Sequence, residues 1–189
     1  MHASRFFGFT ILLLGLYLAF FMHSKIWYSF FVIGGFLFLE SLNSKEGFSV
    51  LNDKKKFLFV FFIFAILGIL IEIVGNLWLN LWDFPNLNKL DYLIHVIIIT
   101  YPLVSFFGLE LFVLINRITA SRTSLLIIAP ITAFIFGFLN EYPNLFAYEW
   151  RYNKMPFGEL FGIPILMYFS WLLILFTLLF KKLFVLNKS

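Results

Sequence analysis

The run FLFVFFIFAILGILIEIVGNLWLNLW, residues Phe57–Trp82, decides the fold. Its first fifteen residues carry no charge, and ~20 apolar residues in a helix cross the hydrocarbon core of a bilayer. Lys54-Lys55-Lys56 stand just before it and mark a membrane surface. The rest of the chain has the same character. Of its 189 residues, 62% are hydrophobic and 13% charged, whereas soluble domains run about 45–50% apolar and about 25% charged. That balance excludes a soluble enzyme and a disordered chain. With no cysteine, the chain has no disulfide, thiolate metal site, iron–sulfur ligation or cysteine nucleophile.

Working outward, five further segments have the length and apolarity of a span or nearly so. The expected fold is all-α: a polytopic membrane protein with six transmembrane helices at about residues 6–22, 26–42, 57–82, 93–116, 123–142 and 159–180. Residues 1–189 read as a single integral membrane domain, with no polar linker to a soluble appendage. The first segment reads as retained, because Ala19-Phe20-Phe21 lacks a small-x-small cleavage pattern. Six spans put ten Lys and Arg on the side of the termini and four on the other. The positive-inside rule then places both termini in the cytoplasm of a multi-pass cell-membrane protein. The basic charge is thereby explained as topology, and no nucleic-acid partner is implied. The 29 Phe residues read as lipid-facing filler.

Ionisable residues inside apolar helices are costly and mark sites or partners. Glu72 lies about 22–24 Å along its helix, in the outer part of the bilayer. Asn76 and Asn80 follow at four-residue spacing on the same expected face, with Gly68 one turn before. Glu141 ends the fifth segment, with Asn140 beside it and Asn144 just beyond. Glu40 and Glu110 fall near cytoplasmic helix ends, where they can reach headgroups, and read as structural. The outer connections, Gly75–Asn86 and Asn140–Tyr152, are dense in aromatics. Trp78, Trp82, Tyr148 and Tyr152 taken singly suit an interfacial belt. Mixed with Glu, Asn and Arg, they suit half-buried lids over a cavity.

The two runs also resemble each other. Gly68-x3-Glu72, Asn76-Leu77-x4-Trp82-x-Phe84 aligns with Gly137-x3-Glu141, Asn144-Leu145-x4-Trp150-x-Tyr152 across a one-residue gap. This predicts a parallel repeat of helices three and four with five and six, with Glu72 and Glu141 approaching one another at its interface. Two carboxyls beside an apolar cavity suit acid–base chemistry, and nearby aromatic faces suit stabilisation of a carbocation. The bland alternative is a hydrogen-bonded helix contact. His95, with Asp91 one turn before it, is either a base oriented by its neighbour or an interfacial cap. Three histidines without a haem, phosphate-loop or dinucleotide motif imply no cofactor and no metal. Pro102, Pro130 and Pro164 are expected in spans four, five and six, as kinks.

Glu141 through Trp150-Arg151-Tyr152, then Phe157-Gly158, Gly162-Ile163-Pro164 and Trp171, resembles the lycopene cyclase-domain and carotenoid hydratase family of small membrane proteins. Glu72 through Trp82-Asp83-Phe84 is a weaker match. Pro164 is followed by Ile165-Leu166-Met167, where the cyclases carry Pro-x-Glu-Glu. The resemblance implies acid–base chemistry on an isoprenoid or carotenoid-like lipid. Glu72 and Glu141 would then be catalytic, Asn76 and Asn144 would orient them, and Trp82, Trp150 and Tyr152 would line the pocket. The partners would be membrane lipids and a hydrophobic small molecule, with a homo-oligomer open. The alternative from another class is a non-enzymatic lipid-binding, transport or assembly subunit.

Overall fold

A computed structural model describes residues 2–119, 122–153 and 155–185. Lys154 and Lys188, counted in the charge balance, lie outside them. Runs of Leu, Ile and Phe with few internal breakers form helices, and the described residues are all-α apart from four two-residue strands. Helix α1 spans His2–Phe20 and α2 spans Trp27–Asn43. Helix α3 runs Lys54–Trp78, α4 Lys89–Ile118 and α5 Arg122–Glu141. A single turn, α6, covers Asn144–Ala147, and α7 runs Ile165–Phe184. Helices α3, α4 and α7 are long and apolar enough to cross a membrane, and Arg5–Phe20 is a shorter apolar helix.

Three helices change pitch along their length. Helix α3 is α-helical to Glu72 and widens to π-helical over Ile73–Trp78. Helix α4 is π-helical over Tyr92–Thr100 and α-helical over Tyr101–Ile118. The change comes just before Pro102, whose ring has no N–H to give a regular ladder. Helix α7 tightens to 3₁₀ from Trp171 to Phe184. At the start of α3, the Asp53 side chain accepts the backbone N–H groups of Lys55 and Lys56, which satisfies two otherwise free donors.

Two expected spans end differently. Helix α3 stops at Trp78, not Trp82, because Asn80 turns left-handed (φ 49°). Trp82 then starts β1 (Trp82–Asp83), which pairs antiparallel with β2 (Arg151–Tyr152), Trp82 opposite Tyr152. Asn80 thus leaves the helix face assigned to it, and its carboxamide oxygen accepts from Asn153 at 2.9 Å. The last helix starts at Ile165, not Glu159, because β3 (Glu159–Leu160) pairs with β4 (Ile163–Pro164). The two turn residues, Phe161 and Gly162, both have positive φ, as a type I′ hairpin requires. Pro164 therefore precedes its helix, while Pro130 lies inside α5.

Glycines let α1 approach α2 closely. A Cβ on Gly34 would meet the Ile11–Leu12 backbone, and one on Gly8 or Gly15 would meet that of Leu37–Phe38 or Phe31. Small residues serve this purpose at membrane helix contacts. The centre of the bundle is aromatic. Phe106 lies 5.7 Å from Phe36, 5.0 Å from Phe57 and 5.1 Å from Phe64, ring centre to ring centre. Several phenylalanines are thus core residues, while Phe6, Phe7, Phe59 and Phe62 face outward as expected of lipid-facing filler.

Candidate functional site: two glutamate cradles

Glu72 and Glu141 lie at the same end of the bundle, and both are 3% exposed. A carboxylate only accepts hydrogen bonds, and the side chains around Glu72 all donate. Oε1 accepts the Tyr101 hydroxyl and the Trp82 indole N–H, the latter at 3.1 Å. Oε2 accepts Asn76 at 3.1 Å and Tyr92 at 2.8 Å, and Trp82 reaches it at 3.3 Å. The wide turn of α3 sets this up: the Trp82 ring lies over Gly75, where a Cβ would strike it.

Glu141 has a cradle of the same chemistry. Its Oε1 accepts the Trp171 indole N–H at 2.9 Å. Its Oε2 accepts Trp150 at 3.1 Å and the Tyr152 hydroxyl. Burial, and then the neighbouring Glu141 carboxyl, push the Tyr152 phenol well above its ordinary range, so this hydroxyl keeps its proton. Tyr101, Tyr92 and Trp171 escaped the sequence reading as partners. Two stand in other helices and one follows a hairpin, so no local spacing points to them.

The two carboxyls do not meet as expected. They share no hydrogen-bonding side chain among the described residues. Their link is the strand pair, in which Trp82 of one cradle faces Tyr152 of the other. Arg151 of β2 donates to Asp83 of β1 at 2.8 Å and clamps this link.

Other expected roles also change. Asn144 does not orient Glu141. Its oxygen accepts the backbone N–H of Glu149 and of Trp150, and its nitrogen donates to the Trp150 carbonyl. It holds the turn that delivers Trp150. Asp91 and His95 do not pair: Asp91 takes Lys25 at 2.7 Å, and the His95 ring meets Ser29 at 2.9 Å. These contacts fasten the α1–α2 turn and α2 to the start of α4. Trp78, 81% exposed, suits the interfacial belt.

Glu149 is a third carboxyl at this end. It is buried, and Tyr28 donates its backbone N–H to it at 3.4 Å. Burial pushes its carboxyl well above the usual carboxylate range. A raised acid binds its proton more tightly in the folded chain. Stability therefore falls as pH rises above about 4.3, the ordinary Glu value, towards the folded one. Glu149→Gln keeps the shape and removes the titration, so it is expected to flatten that fall. Thermal unfolding in detergent at a series of pH values measures this, and equal slopes in both proteins would contradict it.

No protein-family model, curated protein or solved structure matches this chain. Among the described residues no group of three or more His, Cys, Asp or Glu is placed to hold a metal ion.

Proposed function

We propose that the chain is a six-span membrane protein with both termini cytoplasmic, and that its glutamate cradles serve acid–base chemistry on an isoprenoid-like lipid. One observation carries this reading: two buried carboxyls sit in matching indole and phenol cradles, without a hydrogen-bonded cation among the described residues. A carboxylate in a low-dielectric site needs a balancing positive charge. Here that charge is a proton or one that develops on the ligand. Protonating a double bond makes use of both, since the acid gives its proton and the carboxylate then faces a carbocation. The surrounding aromatic rings favour the same positive charge. A tyrosine hydroxyl can donate or accept, so each cradle accommodates its glutamate in either state.

The repeat belongs to this proposal. Each cradle pairs a helical Glu with an indole nine or ten residues further on, Trp82 in β1 and Trp150 just before β2, at the spacings read in the sequence. The resemblance to the carotenoid enzymes names the lipid class. The second reading is a non-enzymatic lipid-binding, transport or assembly subunit. It is favoured by the saturation of both carboxyls with protein donors, the pattern of a structural helix contact.

Extraction of the protein from its native membrane, followed by mass spectrometry of retained lipids, tests the substrate class. An unsaturated isoprenoid enriched over bulk lipid is the expected result. Bulk phospholipid alone would refute it.

A further inference from the structure

The opposite end of the bundle holds another pair of acids, which the sequence assigns to headgroups. Glu40, near the end of α2, and Glu110, in α4, are instead buried. Asn43, one turn after Glu40 on α2, donates its side-chain amide to Glu110, which brings the two buried carboxyls to one contact between α2 and α4. Glu40 accepts the Ser49 hydroxyl and the backbone N–H groups of Val50, at 2.9 Å, and Leu51, at 3.4 Å. Glu110 accepts the Asn43 side-chain amide at Oε2. Its Oε1 has no protein donor, although the residue is 0% exposed.

Two carboxylates in contact and out of water cannot both stay charged. An acceptor-only oxygen left without a donor carries the full cost of desolvation. One proton between Glu40 and Glu110 removes both problems. It supplies the missing donor and reduces the pair to a single negative charge. Arg117 offsets that remaining charge, since its guanidinium donates to Asn43 Oδ1, on the far side of the same amide. Among the described residues, Lys181 of α7 lies near Arg117, and Arg5 of α1, one turn before the contact of Gly8 with Leu37–Phe38, stands at the same end of α2. A metal cation fits poorly. Hard cations need six or more oxygen ligands, while Ser49, Val50, Leu51 and Asn43 all present donors here.

We propose that Glu40 and Glu110 form a proton-binding site, in which one proton is shared between two buried carboxyls at the end of the bundle remote from the cradles. This site is independent of the chemistry proposed for Glu72 and Glu141. It also ties the proton to structure. Glu40 holds the Ser49–Leu51 segment leading into α3, so loss of the proton sets a second charge against the anchor of that segment.

Infrared difference spectroscopy on the purified full chain tests the site. A protonated carboxyl has a carbonyl band distinct from the carboxylate bands and sensitive to D₂O. The wild-type spectrum at neutral pH is expected to contain one such band that is lost in Glu110→Gln and in Glu40→Gln. Glutamine supplies an N–H where the shared proton lay, so both variants keep the contact. Arg117→Gln changes an exposed residue and gives a reading that does not depend on those variants folding: without the cation, the band is expected to persist to higher pH. A band unchanged in all three variants would overturn the proposal. So would its removal from the wild type by sodium or calcium at constant pH, which would make this a cation site.

Discussion

Glu72→Gln and Glu141→Gln are each expected to lower lipid turnover about 10²–10⁴-fold, the usual contribution of a positioned acid or base. Their structural effects are expected to differ, because the donors differ. At Glu72 the amide can turn its nitrogen toward Asn76 and Tyr92. The Asn76 carboxamide can flip and the Tyr92 hydroxyl can reverse, while Trp82 donates to the remaining oxygen. At Glu141 an indole N–H addresses each oxygen, Trp171 one and Trp150 the other. An indole cannot accept, so glutamine leaves one buried donor unmet, at a cost of about 1–3 kcal/mol. Thermal unfolding should therefore show Glu72→Gln close to wild type and Glu141→Gln clearly less stable. Adding Trp171→Phe to Glu141→Gln removes the unmet donor and is expected to restore part of the stability and none of the turnover. Full turnover in both single variants would remove the catalytic role and leave the lipid-binding or assembly reading.

The second large effect is expected in the packing of α1 on α2. Leucine at Gly34 would meet the Leu12 backbone, which a rotamer change cannot relieve. Overpacking costs about 1–3 kcal/mol where side chains can shift, and a backbone obstacle puts Gly34→Leu at the upper end of that range. The helices must separate, exposing the contacts at Gly8 and Gly15 as well. A lowered unfolding midpoint in detergent is the expected result. A midpoint equal to that of the wild type would show that α1 packs elsewhere.

The helices were legible because apolar length alone signals them, and four of the six expected segments overlie observed helices closely. Their ends were less so. Trp82 falls outside the helix because a left-handed Asn80 follows its end and strand pairing takes over. Glu159 falls before the last helix because it opens a hairpin whose two-residue turn contains Phe161, a residue that does not signal a turn. Within the site, Asn76 does contact Glu72, since four residues make one helical turn. The Asp91–His95 pair failed despite the same spacing, because Lys25 and Ser29 from other elements compete for the two groups.

By itself, the sequence determined that this chain is helical and apolar, with a few acids that hydrocarbon would not tolerate alone. That follows from composition and local periodicity, which need no knowledge of neighbours. Only the tertiary structure decided which donors meet those acids. Tyr101, Tyr92 and Trp171 reach Glu72 and Glu141, and Asn43 reaches Glu110, across separations of 20 to 67 residues. A buried carboxyl must find its partners wherever the packed helices bring them, and that choice is made by the fold as a whole.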